Sequence, residues 1–138
     1  KPEVQALAKT NLSRTGLDRY VTFTLGDVAS GFEERNIDAV FLDLPNPYDF
    51  ISQAKESLKP GGYIGIIVPT VNQVARVLPR LKAERFIFVE VCEILIRFYK
   101  TDWERIRPTD RMVAHTGFLI YGRSVLGYFN DIETEVEN

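Results

Sequence analysis

The sequence predicts an α/β fold: a sheet with a parallel centre, helices on both faces and an antiparallel last pair of strands. Three observations predict it. Two short, nearly continuous apolar runs, residues 37–42 and 63–68, have the character of strands buried on both faces. Each is followed by a stretch of helical spacing, and that alternation marks a parallel sheet. Two later strand-like runs, 86–98 and 112–121, have no helix between them and are therefore expected to lie antiparallel.

Each element has its own signal. Residues 2–15 suit a helix, because Pro2 fits a first turn and Val4, Leu7, Ala8 and Leu12 recur at helical spacing. Gly16 is a suitable stop. Residues 20–25 alternate apolar and polar, as a strand does, and end at Gly26-Asp27. The apolar run 37–42 stops on a carboxylate, Asp43. Residues 48–58 are predicted helical, closed by Lys59-Pro60-Gly61-Gly62. The strand over 63–68 is closed by Pro69, and a helix spans 70–83 with Pro79 late in it. The link between the last two strands, 99–111, is long and polar, and long loops inside compact domains tend to carry function.

Composition narrows the classes. A length of 138 residues suits one domain, and 45% apolar residues can build a core. The apolar runs fall far short of a membrane span, and the opening KPEVQALAK has no signal-peptide h-region. A cytoplasmic protein with no membrane association is the expectation. A single cysteine, Cys92, rules out an internal disulfide framework and is expected in the core. With one histidine, His115, no metal site is expected. Net charge is −2, with Asp131, Glu133, Glu135 and Glu137 gathered in the tail and all bases upstream. That balance neither signals nor excludes nucleic acid.

Several residues stand where chemistry is done. In open α/β sheets ligands bind beyond the carboxyl ends of the strands. Asp27 and Asp43 both occupy such ends. Asp27 could accept a hydrogen bond from an exocyclic amine, but spacing alone favours a simple turn aspartate beside Gly26. Asp43 is followed by Pro45 and Pro47, which fix φ and remove two donors, so its loop is stiff. A helix start explains Pro47 but not a strand-end carboxylate followed by both prolines, and a ligand-holding loop is favoured. The segment 97–111 mixes Arg97, Lys100, Arg105, Arg107 and Arg111 with aromatics and can grip phosphates and stack bases. Its interleaved acids allow a self-paired solvated loop equally well. Glu93 and Arg97, four apart on a predicted strand, would share a face. His115 has the usual character of a structural histidine, and Thr116-Gly117 suggests close backbone approach.

The order of elements resembles the C-terminal half of the S-adenosylmethionine-dependent methyltransferases of class I, a Rossmann-like fold. The motifs resemble one family within it: the tRNA (adenine-N1)-methyltransferases that modify the T-loop adenosine, position 58. The matching pieces are Glu3, Ala8 and Asn11; Gly26-Asp27-Val28; Asp43-Leu44-Pro45-x-Pro47-Tyr48; Leu58-Lys59-Pro60-Gly61-Gly62; and Pro69-x-x-x-Gln73-Val74. They continue with Glu93 and Arg97, Arg107-Pro108, and His115-Thr116-Gly117-Phe118-Leu119. Leu-Lys-Pro-Gly-Gly occurs in many methyltransferases. Asp-Leu-Pro-x-Pro and His-Thr-Gly in one chain are more specific.

The resemblance implies methyl transfer from S-adenosylmethionine to adenine N1. It implies Asp43 as the catalytic residue beside the methyl donor, with Asp27, Val28, Asp43 and Gln73 toward the cofactor. Pro45, Tyr48, Arg97, Arg107, His115 and Thr116 would lie toward the tRNA. It also implies a homotetramer. No Gly-x-Gly occurs before Asp27, so 1–124 is expected to be an incomplete catalytic domain lacking the Gly-rich cofactor loop and inactive alone, followed by an acidic tail over 125–138. Ile67 stands where the family often has an aromatic. A non-catalytic tRNA-binding or partner subunit, and a small-molecule methyltransferase on the same fold, are the alternatives.

Overall fold

The structure, a computed structural model, describes residues 2–109 and 117–126. The chain divides into two compact units, Lys1–Gly31 and Phe32–Asn138.

In the first unit, α1 spans Pro2–Thr15, with Glu3 in its first turn and Arg14 in its last, both favourable to the helix dipole. Gly16 adopts φ +68, Gly16 N–H donates to the Ser13 carbonyl and Leu17 N–H to the Leu12 carbonyl. This pair of bonds is the glycine-terminated helix end that the sequence predicts. The strand predicted over 20–25 does not form. Val21 is extended, with φ −126 and ψ 124, but among the described residues the segment forms no strand. Alternation selects which side chains share a face, whereas a strand also needs a neighbour to complete its ladder.

The second unit holds a four-stranded sheet of order β1-β2-β4-β3. Its elements are β1 (Ile37–Leu42), α2 (Ile51–Ser57), β2 (Leu58–Val68), α3 (Val71–Ala83), β3 (Phe86–Cys92) and β4 (Phe118–Ser124). β1 and β2 are parallel, and β4 runs antiparallel to both β2 and β3. The last strand in the chain thus lies between the two that precede it. The expected antiparallel last pair is present, and the fold is an incomplete Rossmann-like one.

One cluster of buried side chains joins Val40, Ile64, Ile66 and Ile120 of the strands to Ile51 and Ala54 of α2 and Val74, Val77 and Leu81 of α3. Both helices therefore cover the same sheet face. This corrects the expectation of helices on both faces for this unit. Two successive right-handed crossovers advancing in one direction place their helices on one side. Phe41, Tyr63, Ile67 and Tyr121 remain exposed, and the Phe41 ring lies over Gly65 of the neighbouring strand.

Element boundaries shift for local reasons. The helix predicted over 48–58 is a 3₁₀ turn, Pro47–Asp49, followed by the shorter α2. β2 starts five residues earlier than expected, because Leu58 already pairs with Ile37 before a bulge carries the chain to the Ala39–Tyr63 pair. Lys59 pairs with Asp38 across that bulge. Gly61 has φ +77, and a Cβ on Gly62 would lie 2.9 Å from the Lys59 carbonyl oxygen and 3.2 Å from that of Asp38. Gly62→Ala is expected to destabilise the fold by about 1–3 kcal/mol, the usual result of overpacking against backbone, read as a lowered urea midpoint. In α3, Pro79 lies on the exposed side, opposite the buried Val74, Val77 and Leu81, and has no N–H to offer the carbonyl one turn before it.

Lys55 of α2 reaches the end of β4, donating from Nζ to the Val125 carbonyl at 2.9 Å over the Phe86 ring. Burial lowers its pKa, which nearby Glu84 partly opposes and Arg85 reinforces. Among the described residues no helix is long and apolar enough to cross a membrane.

The strand predicted over 86–98 stops at Cys92, where the described ladder ends at the Cys92–Leu119 pair. Cys92 is exposed, not in the core. Strand spacing therefore does not put Glu93 and Arg97 on one face. The strand predicted over 112–121 is β4, shifted to Phe118–Ser124. Residues 112–116 and most of the acidic tail, 127–138, lie outside the described residues.

Candidate active site

The carboxyl ends of β1 and β2 are adjacent because the two strands are parallel and in register from Ala39–Tyr63 to Leu42–Ile66. β1 ends on the buried Leu42, and the next residue, Asp43, emerges exposed. Asp43, Leu44 and Pro45 form one wall of a pocket of about 390 Å³, Ile67, Val68 and Pro69 form another, and Gly117 closes it at the start of β4. A Cβ on Gly117 would meet Ile67 at 3.3 Å, so glycine allows the close approach that the sequence suggests. The result is one carboxylate on mostly apolar walls at a strand-end edge. That chemistry suits a flat, amine-bearing ring beside a small cationic centre: the walls accept the ring faces and the carboxylate accepts the amine.

The loop after Asp43 is held from α3. Gln73 Nε2 donates to the Pro45 carbonyl at 2.9 Å, while Gln73 Oε1 accepts from the Thr70 hydroxyl at 2.8 Å. One helical turn on, Arg76 Nη1 donates to the Tyr48 hydroxyl at 3.0 Å, and that hydroxyl donates to Asn46 Oδ1 at 2.9 Å. Asp43 and Pro45 line the pocket, and Gln73 and Arg76 hold the loop at Pro45 and Tyr48. Thr70, Arg76 and Asn46 are functional candidates that the sequence reading does not single out. The Thr70-x-x-Gln73 spacing, which is that of a capping box, is the one signal for them in the chain.

Asp27 and Val28 belong to the first unit. Asp27 caps a 3₁₀ turn over Val28–Ser30, its Oδ1 accepting from the Ala29 N–H at 3.0 Å. The turn geometry favoured by spacing is therefore present. Arg97 and Arg107 are exposed. Arg107 belongs to a small hairpin: Tyr99 bridges Pro108, Lys100 N–H donates to the Arg107 carbonyl at 2.9 Å, and Thr109 N–H to that of Phe98 at 3.0 Å. Trp103 stands exposed at its tip. His115 and Thr116 lie outside the described residues.

The family described as the tRNA methyltransferase complex GCD14 subunit matches residues 3–117. The chain belongs to this family. A tRNA (adenine(57)-N(1)/adenine(58)-N(1))-methyltransferase of Methanocaldococcus jannaschii is 34% identical over 100 residues, 72% of this chain and 36% of that protein. A tRNA (adenine(58)-N(1))-methyltransferase of Thermus thermophilus is 28% identical over 87% of this chain and 48% of its own length. The chain thus spans between a third and a half of these GCD14-family relatives. Among solved structures, a SAM-dependent O-methyltransferase of Thermotoga maritima superposes with a TM-score of 0.86 at 44% identity, over 91% of this chain and 48% of that one. The tRNA (m1A58) methyltransferase of Aquifex aeolicus superposes with a TM-score of 0.81 at 36% identity, over 91% and 51%. The fold is that of the class I methyltransferases.

Proposed function

We propose that the full-length protein is a methyltransferase that transfers a methyl group from S-adenosylmethionine to N1 of a tRNA T-loop adenosine, position 58, with Asp43 orienting the target adenine. The observation that carries this reading is the exposed carboxylate of Asp43 at the strand-end pocket, in a chain of the GCD14 family. The cofactor supplies an electrophilic methyl on a sulfonium. The chain's own residues supply position. Asp43 accepts a hydrogen bond from the adenine amino group, which raises electron density at N1 as positive charge develops there. Leu44, Pro45 and Ile67 offer apolar contact to the ring, and the two prolines limit drift of the loop. Asp27 and Val28, in their capped turn, take the cofactor's adenine end.

The arm over 97–109 supports tRNA as substrate: Arg97, Lys100, Arg105 and Arg107 accompany the exposed Trp103, with His115 and Thr116 following. Paired replacement Arg97→Ala with Arg107→Ala is expected to weaken tRNA binding and to flatten its salt dependence, the logarithmic slope falling by roughly one for each phosphate that is no longer gripped. Fluorescence anisotropy over a salt series reads both. We also place the protein in the cytoplasm as a homotetramer. Ile94, Leu95 and Ile96 just before the arm and Phe98 and Ile106 within it are exposed apolar residues that contact between subunits would bury.

The test is direct. Full-length protein, labelled S-adenosylmethionine and a tRNA transcript should yield N1-methyladenosine at position 58, seen as a reverse-transcription stop. A transcript carrying guanosine in place of that adenosine should show no stop. No transfer to tRNA would overturn the reading. The 44% identity to a structure named as an O-methyltransferase favours a second one, transfer to a small-molecule hydroxyl. Label incorporated into a phenolic hydroxyl with none in tRNA would establish that instead.

A further inference from the structure

The backbone of the loop from Asp43 to Tyr48 makes few hydrogen bonds of its own. Pro45 and Pro47 have no N–H, and the loop's own backbone bonds begin only with Asp49 N–H to the Asn46 carbonyl and Phe50 N–H to that of Pro47. Pro47 is buried and Leu44 packs against the core, and a hydrogen bond to the loop's front half comes from α3. We propose that Gln73, aimed by Thr70 and seconded by Arg76, is a positioning latch that sets where the Asp43 carboxylate stands against the substrate. This rests on the reading of the pocket given above.

The bond pattern has only one consistent assignment. A carbonyl oxygen can only accept, so the group facing Pro45 must be the amide NH₂ of Gln73. Its oxygen then faces Thr70, whose hydroxyl donates to it at 2.8 Å while accepting from the Gln73 N–H at 3.3 Å. Each group is used in its proper sense, and the amide cannot turn over without breaking two bonds. In the usual capping box the glutamine reaches back to the cap residue's own N–H. Here it reaches across to a different loop. Arg76 lies three residues on, hence on the same helix face, and holds Tyr48 through its hydroxyl and across its ring at 5.4 Å. Two side chains on one face of α3 therefore grip the loop at Pro45 and Tyr48. α3 is itself seated in the core by Val74 and Val77, which alternate with the two latch residues. The latch thus refers the position of Asp43 to the most buried part of the sheet–helix packing rather than to the loop.

Gln73→Glu isolates the idea. It keeps the shape and the acceptor for Thr70 but replaces the donor to Pro45 with a carboxylate oxygen, which faces the carbonyl repulsively. In the full-length protein, amide exchange at Asp49 and Phe50, whose N–H groups bond to the Asn46 and Pro47 carbonyls, is expected to rise about tenfold, with exchange in the buried strand β2 unchanged. Methylation of tRNA should lose about tenfold in kcat with KM for tRNA within twofold. In an Asp43→Ala background Gln73→Glu should cost nothing further, because there is no carboxylate left to position. Exchange at Asp49 and Phe50 that stays at the wild-type rate overturns the latch, whatever the activity. A full additional loss in the Asp43→Ala background overturns its action through Asp43. Wild-type protein that leaves tRNA unmethylated overturns the reading of the pocket, and the exchange measurement still decides the latch.

Discussion

Asp43→Ala is expected to lower turnover on tRNA by about 100-fold or more, while tRNA affinity stays within a few-fold. The size follows from where the charge acts. Removing one group that stabilises charge developing at the reacting atom typically costs about 10²–10³ in kcat. Most tRNA affinity comes instead from phosphate contacts, and those lie along the arm over 97–109 in this reading. Single-turnover methylation and anisotropy measured side by side separate the two. Asp43→Asn sharpens the result: it preserves volume and one oxygen but removes the negative charge, so a loss as large as that of alanine assigns the effect to charge rather than to shape. Turnover unchanged in both variants would remove Asp43 from the reaction.

The largest effect on stability is expected at Ile120. It lies at the centre of β4, fully buried, with Ile66 opposite on one side and Val91 on the other. Ile120→Ala removes packing where the two ladders of β4 meet, and truncation of a fully buried aliphatic side chain costs about 2–5 kcal/mol. That is a large share of the stability of any single domain, so a steep fall in the urea midpoint is expected, with partial unfolding at ordinary temperature. Val71→Ala, at an exposed position in the first turn of α3, should change stability by no more than about 0.5 kcal/mol. Equal losses at the two positions would mean that β4 is not an inner strand of the sheet.

The elements legible in the chain are those whose signal is local. Residues 37–42 are a short apolar run between polar stretches, and β1 has those bounds. α1 needs only its spacing and its terminal glycine. Residues 20–25 show the opposite case: their alternation is genuine, yet they form no strand. The run 86–98 reads as one long strand because β-propensity continues past Cys92, while the described ladder does not. The resemblance implies Gln73 toward the cofactor, but nothing local in the chain signals that its amide donates to the Pro45 carbonyl.

The sequence by itself determined that β1 would end on Asp43 and that a stiff, twice-prolined loop would follow. Those are properties of neighbouring residues and of φ. Only the tertiary structure decided that β4 inserts between β2 and β3, that both crossover helices lie on one sheet face, and that α3 reaches across to Pro45 and Tyr48. Each of those contacts joins residues far apart in the chain, 28 positions in the case of both latch bonds. Separation of that kind leaves no period or local propensity to read. It is set by which strands pair and in what register, and the register here brings Asp43 and Pro69 to the same edge of the sheet.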